Sequence, residues 1–426
     1  MASARPARTG FFPLDDALGL LPGTLTPRLQ ESLVRLSTWI PSFAKAMQEL
    51  AHFTQVNVSR ATAQRITVAA GAAAVAVQTA EVERILVQYP EPPVTPETLL
   101  VSADGAMVPL QGGEWAEVKT LAIGEVAPPV LEAGKPVVHT HNLSYFSRLT
   151  DSTTFGHLAL GEIQRRGVER AQRVAAVMDG AVWLQGFVDL HCPDAVRILD
   201  FPHAVGYLHA IGATEGPDGR LLSATRVSQL AHDLKHDGPG EVLASLRECV
   251  RAQPDLPDLA TNLAYLESRT AQLQYPHFQA AGLPIGSGSV ESAHTVVVEA
   301  RLNGAGMRWA RENVNPLLAL RNAVCNDRWE EVWGQIETEQ RREQGGRRQA
   351  RRQARRAATT GCPEPAAAAP VLPPVRVPQP EPERPQAGAG SSVVPPADRE
   401  PGRPAADHPW RRPWSRRRQL EQALAA

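Results

Sequence analysis

Three short apolar runs, each closed by an aspartate, constrain this chain more than any other feature. They are Leu99-Leu100-Val101-Ser102-Ala103-Asp104, Arg173-Val174-Ala175-Ala176-Val177-Met178-Asp179 and Ala195-Val196-Arg197-Ile198-Leu199-Asp200. Each reads as a strand. Two more β-like stretches, 115–126 and 137–143, follow the first, and residues 155–167 carry a helical rhythm. The order is three strands, helix, strand, short helix, strand, helix. A meander joined to β-α-β units specifies an α/β sheet covered by helices.

The flanks are of a different kind. Residues 11–88 read as a helical module, with apolar residues at three- and four-residue spacing and a Ser-capped helix start at Ser59-Arg60-Ala61. That start suits the second half of a DNA-binding helix-turn-helix, or a packing helix. A four-proline linker, 90–96, leads into the sheet. Residues 204–281 are helical and polar. Gly282 to Gly288 is a Gly-rich loop, and helices are expected over 289–302 and 315–339.

Net charge is −1, but from Arg341 onward 17 basic residues stand against 8 acidic ones. A basic tail on an acidic body points to a nucleic-acid partner. The tail opens with eight arginines between Arg341 and Arg356 and holds 15 prolines from Gly361 on. Residues 341–426 are therefore expected to be a disordered tail, dispensable for catalysis from about Gly361 on, with the Arg run either continuing the preceding helix, touching nucleic acid or forming a solvated face. The four cysteines, Cys192, Cys249, Cys325 and Cys362, form no CxxC pair. This suits a reducing, cytoplasmic compartment and argues against a cysteine zinc site. No run of about 18 apolar residues marks a membrane span.

A lone strand-end Asp is usually a turn or a cap. Asp104 and Asp179, each followed by Gly, and Glu291, in the first turn of a helix after the Gly-rich loop, make a set. Two carboxylates at one sheet edge converge, and with a third they offer the hard oxygen ligands that two Mg²⁺ ions require.

Several segments carry a resemblance. They are Phe12-Pro13-Leu14-Asp15-Asp16-Ala17-Leu18-Gly19-Leu20, Trp115-Ala116-Glu117-Val118-Lys119, Met178-Asp179-Gly180-Ala181-Val182-Trp183 and Ile198-Leu199-Asp200-Phe201-Pro202-His203-Ala204. Gly282-Leu283-Pro284-Ile285-Gly286-Ser287-Gly288-Ser289-Val290-Glu291-Ser292 and Arg301-Leu302-Asn303-Gly304-Ala305-Gly306-Met307-Arg308-Trp309 complete them. Over about residues 11–335 the chain resembles bacterial insertion-sequence transposases of the ISKra family, relatives of the Mutator-like DDE transposases.

The resemblance implies an RNase H-like catalytic core in two parts, 97–203 and 282–340, split by an all-α insertion, 204–281. It implies Asp104, Asp179 and Glu291 as catalytic metal ligands, with Mg²⁺, or Mn²⁺, as cofactor. Asp200 and His203 resemble the D-x-x-H motif of the superfamily, in a supporting or DNA-contacting role. His294 would support the site from the helix of Glu291, while Arg301, Arg308 and Trp309 suit phosphate contact and base stacking, or, for Trp309 above all, a helix end with a buried Trp. Double-stranded DNA, at element ends and target, is the implied partner, with a homodimer in the DNA complex and a cytoplasmic, nucleoid-associated location. Relatives carry a cysteine-rich, zinc-ribbon-like segment before the Pro-Leu-Asp motif. Here no cysteine precedes Cys192, so no zinc site is expected and the end-binding part is expected to be shortened. The alternatives are an inactive DNA-binding derivative and another RNase H-like nuclease.

Overall fold

The computed structural model describes residues 25–360 apart from 133, 217, 218, 254 and 255; the segment Phe12 to Leu20 and the tail from Gly361 lie outside the described residues. The chain divides after Gln340. Up to that point the described residues form a mixed α/β body around a five-stranded sheet.

Helices α1 (Pro27–Trp39), α2 (Phe43–Thr54) and α3 (Arg60–Gln88) come first. Each starts where the side chain of Thr26, Ser42 or Ser59 accepts a hydrogen bond from the first-turn backbone. α3 is long and apolar enough, by length and composition, to cross a membrane. Here it packs as a core helix, burying Ala63, Ala70, Ala73 and Ala74. At Gly71 an added Cβ would stand 2.2 Å from the carbonyl oxygen of Pro316. Gly71→Ala should therefore cost about 1–3 kcal/mol, as overpacking against backbone does. A thermal melt unchanged by the substitution would contradict this close approach.

The sheet consists of β1 (Thr98–Pro109), β2 (Trp115–Val126), β5 (Thr140–Arg148), β6 (Arg173–Met178) and β7 (Val196–Leu199), in the order β5-β2-β1-β6-β7. β2 is antiparallel to both its neighbours, whereas β1, β6 and β7 run parallel. Odd residues of β1 (Leu99, Val101, Ala103) pack on one face against Phe155, Ala159 and Ile163 of α4 (Ser152–Arg165) and Leu184 and Phe187 of α5 (Val182–His191). Even residues face the other layer, as the two-residue period of a strand requires.

Three expectations are corrected. β1 does not end at Asp104. β2 pairs with it as far as Pro109↔Trp115, so the Asp-Gly step is held extended. The strand expected over 137–143 is two pieces, β4 (Lys135–Val137), paired with β3 (Val130–Glu132), and β5. The helix expected over 315–339 is broken into α13 (Arg311–Cys325) and α14 (Trp329–Thr360) by Asp327, whose φ is 54°.

The break lets α13 cover an edge. Its Asn315 and Asn322, with Asn326 just beyond, each donate and accept with the backbone of Leu149, Ser147 and Tyr145 respectively. Three carboxamides thus act as a surrogate strand on β5, which would otherwise present unpaired edge groups.

Helices α6 (Phe201–Ala213), α7 (Ala224–His236), α8 (Pro239–Arg251), α9 (Pro257–Glu267) and α10 (Tyr275–Ala280) form the helical segment between β7 and the Gly-rich loop. They bury Leu208, Leu230, Leu243, Leu263 and Phe278 in one cluster with Leu100, Ala175, Val177 and Ile198 of the sheet. Next come α11 (Gly288–Ala293), a π-helical stretch His294–Glu299 and a last turn, α12 (Ala300–Leu302). The described part of the second unit, residues 341–360, is helical as the continuation of α14. Of the alternatives for the Arg run, the helix is the one seen over 341–360, as Arg, Gln and Ala all favour helix.

Candidate active site

The three aspartates that close the apolar runs lie side by side. β1 and β6 pair in parallel through Leu100↔Ala175 and Val101↔Ala176. Continued three residues, that register sets Asp104 level with Asp179. β6 and β7 pair through Met178↔Leu199, which sets Asp179 level with Asp200. Neighbouring strands are about 4.8 Å apart, so the three backbones stand in a row at the carboxyl edge of the parallel strands. Leu100 and Asp104 share the even face of β1, and Ala175, Val177 and Asp179 continue it on β6. Ser102 fastens the two strands by donating from Oγ to the carbonyl of Val177 at 2.7 Å. Asp179 Oδ1 accepts from the N–H of Ala181 at 2.9 Å, which shapes the turn after β6.

Glu291 reaches this face on α11, which packs on β1 and β2. Burial pushes the Asp104 carboxyl up to about 7; the N–H of Gly105 opposes the rise, and the negative charges of Asp179, Glu117 and Glu291 add to it. The charges of Asp179 and Glu291 thus both reach Asp104. His294 is buried on the same helical run, with Nδ1 3.9 Å from Asp104 Oδ2. Burial holds its imidazole down to about 4, against the pull of a hydrogen bond to the Asp104 backbone. His294 is therefore neutral at pH 7 and supports Asp104 without pairing with it as an ion. The π-helical turn that begins at His294 is of a kind often found at functional sites.

Asp200 has a different task. It is buried, caps α6 by accepting from the N–H of His203 at 2.9 Å, and accepts from the N–H of Ser287 at 2.7 Å. Phe201 N–H adds a bond to the carbonyl of Ile285 at 2.9 Å. The end of β7 is thus tied to the loop that launches α11, and so to Glu291. A pocket of about 500 Å³ opens beside that loop, lined among others by Leu100, His139, Lys235, Leu283, Ser289 and Ser292. The ring of His203 lies edge-on to Tyr207 and Tyr265.

The basic-aromatic group beyond α11 is not one surface. Arg308 is exposed, but Arg301 is fully buried. Its guanidinium lies between the rings of Phe43 and Trp309, 4.8 and 5.0 Å from their centroids, and donates from Nε to the carbonyl of Ser37. Arg321, also buried, donates to the neighbouring carbonyl of Thr38. Two cations thus meet the C-terminal carbonyls of α1, where orphan acceptors and the helix dipole favour positive charge. Trp309 donates from its indole to the carbonyl of Leu302 and forms a β-bridge with Leu110, just beyond β1. Phosphate contact by Arg301 is therefore excluded by its burial. Arg301 and Trp309 lock the N-terminal helices onto the helical run of Glu291.

Glu117, whose charge reaches Asp104, and the pair Tyr265 and Arg269, which touch the turn after Asp179, were not singled out from the sequence. Glu117 lies on β2 opposite Met107, three residues along β1 from Asp104, and an isolated acid in a strand gives no signal of that proximity. The other two lie more than eighty residues from the groups they contact and left no local signal. Neither the protein-family models nor the curated proteins compared with this chain match it.

The pH dependence of stability follows from Asp104. It loses its proton at about 7 in the fold and near 4 in the unfolded chain. The folded state binds the extra proton between those values, so stability falls as pH rises from about 4 to about 7. Asp104→Asn should raise metal-free stability at about pH 8 by on the order of 1–2 kcal/mol. The full shift is discounted because 30% of the side chain remains exposed. Paired thermal melts at about pH 4 and about pH 8 check this; a gap between variant and wild type that does not widen with pH would contradict it.

Proposed function

We propose that the chain is a DDE-type DNA transposase with an RNase H-like core, cleaving its element's ends and joining the 3′-hydroxyl to target DNA. One observation carries the reading: Asp104 of β1 and Asp179, the residue after the adjacent parallel strand β6, lie near the helix of Glu291, and the charges of Asp179 and Glu291 both reach Asp104. Further support comes from the sheet order, with the second strand antiparallel between the first and third, and the fourth and fifth following the first in parallel. On this reading the helical segment between β7 and α11 would correspond to the all-α insertion.

The donor chemistry fits a hard divalent cation. Carboxylate oxygens come from three elements, and the repulsion that helps raise Asp104 is what a cation removes. Among the described residues no three His, Cys, Asp or Glu side chains are gathered into a cage by themselves. A Mg²⁺ site of one or two carboxylates completed by water and phosphate oxygens does not require one. Asp104, Asp179 and Glu291 would hold the metal, which when bound activates the attacking oxygen and stabilises the leaving one. Asp200 keeps the loop of α11 in place, and His294, neutral, adds no charge beside Asp104. Binding to duplex DNA would rest on basic side chains away from the carboxylates, with exposed Arg308 and the Arg341–Arg356 run as phosphate contacts.

The reading is tested by cleavage of duplex DNA carrying the element's ends by the full chain, with Mg²⁺ or with EDTA. Cleavage that persists in EDTA would overturn it.

A further inference from the structure

The geometry points to Tyr265 and Arg269 as positioning residues for Asp179, which makes the helical segment after β7 part of the catalytic apparatus; this rests on the transposase reading. Tyr265, on α9, donates its hydroxyl to the carbonyl of Asp179 itself. Arg269, just beyond that helix, donates from Nη2 to the carbonyl of Gly180 at 2.8 Å. Two consecutive carbonyls of the turn that aims the Asp179 side chain are thus held from outside the sheet.

The clamp is itself braced. The Arg269 guanidinium lies 3.8 Å over the Tyr265 ring, and Tyr207 of α6 stacks on Tyr265 at 4.1 Å. The turn is built to admit these groups. Gly180 has φ of 80°, and an added Cβ would stand 2.5 Å from the Tyr265 hydroxyl and 2.8 Å from Arg269 Nε. Any other residue at 180 would be strained and would also push the clamp off. Among the described residues the Asp179 side chain is otherwise held at Oδ1, by the N–H of Ala181, so a turn freed from Tyr265 and Arg269 would let its carboxylate swing away from Asp104. Groups that orient a metal-holding side chain typically change affinity or activity by about 10–100-fold when lost.

The test uses the full chain with Tyr265→Phe, which keeps the ring and its stacking, and Arg269→Ala. Three quantities are read: amide hydrogen exchange at residues 180–182, Mn²⁺ half-saturation, and single-turnover cleavage of a duplex carrying the element's ends. Exchange at the turn should rise about tenfold or more, Mn²⁺ half-saturation should rise about tenfold, and cleavage lost at low Mn²⁺ should be regained at high Mn²⁺. Unchanged exchange in both variants would overturn the clamp. Raised exchange with wild-type Mn²⁺ dependence would overturn its positioning role. A wild-type chain that neither binds Mn²⁺ nor cleaves would sink the transposase reading instead, and the exchange measurement would still decide the clamp.

Discussion

Asp179→Asn should lower strand cleavage by about 10³-fold or more while leaving duplex DNA binding within about twofold of wild type. The amide has the shape of the carboxylate and keeps an oxygen for the N–H of Ala181, so the turn survives. What it loses is the charge that makes a hard-cation ligand, and metal contributions of several kcal/mol correspond to rate factors of this size. On the transposase reading, DNA affinity would rest on phosphate contacts by basic side chains such as Arg308, away from the Asp179 carboxylate. Single-turnover cleavage and a salt titration of binding, run on the same preparation, check both halves. A variant that cleaves at the wild-type rate would remove Asp179 from the metal site, and one that no longer binds DNA would show a larger structural role.

Asp200→Ala should destabilise the fold by about 2–4 kcal/mol and reduce cleavage as well. The substitution removes the cap of α6, worth about 1 kcal/mol, and takes the acceptor from the half-buried N–H of Ser287, at a further ~1–3 kcal/mol. Burial raises the Asp200 carboxyl above the usual carboxylate range, and the N–H groups of Ser287 and His203 work against that rise. Asp200→Asn, which keeps an acceptor for one of these bonds, should recover part of the loss. Denaturant melts of the three forms, with cleavage measured well below the transition, separate stability from positioning. Equal stability of Asp200→Ala and wild type would show that the loop before α11 is held by other means.

The parallel half of the sheet was legible because its signal is local. Three apolar runs ending on Asp gave β1, β6 and β7, and the parallel register then lines up Asp104, Asp179 and Asp200 without further information. Strand length was not legible at Asp104-Gly105, where the pair reads as a turn but β2 holds it extended. Arg301 was misread for a related reason, while for Trp309 the packing alternative is the one the structure shows. A basic residue near an aromatic looks the same in sequence whether it faces phosphate or the carbonyl of Ser37, 264 residues away, and burial by α1 and α2 decides it. Asn315, Asn322 and Asn326 carried no hint that they complete a sheet edge, because their partners belong to β5. The tyrosine-arginine clamp on the Asp179 turn was hidden likewise, although the glycine at 180 that makes room for it was in plain view.

The most direct measurement is strand cleavage and transfer by the full-length chain on duplex DNA spanning the element's own ends, in Mg²⁺ or Mn²⁺ and in EDTA, beside Asp104→Asn, Asp179→Asn and Glu291→Gln. The account predicts 3′-hydroxyl ends joined to target DNA only with the wild-type chain and only with the cation. A wild-type chain that binds those ends without cleaving them in either metal, or any one of the three variants cleaving at the wild-type rate, would contradict it.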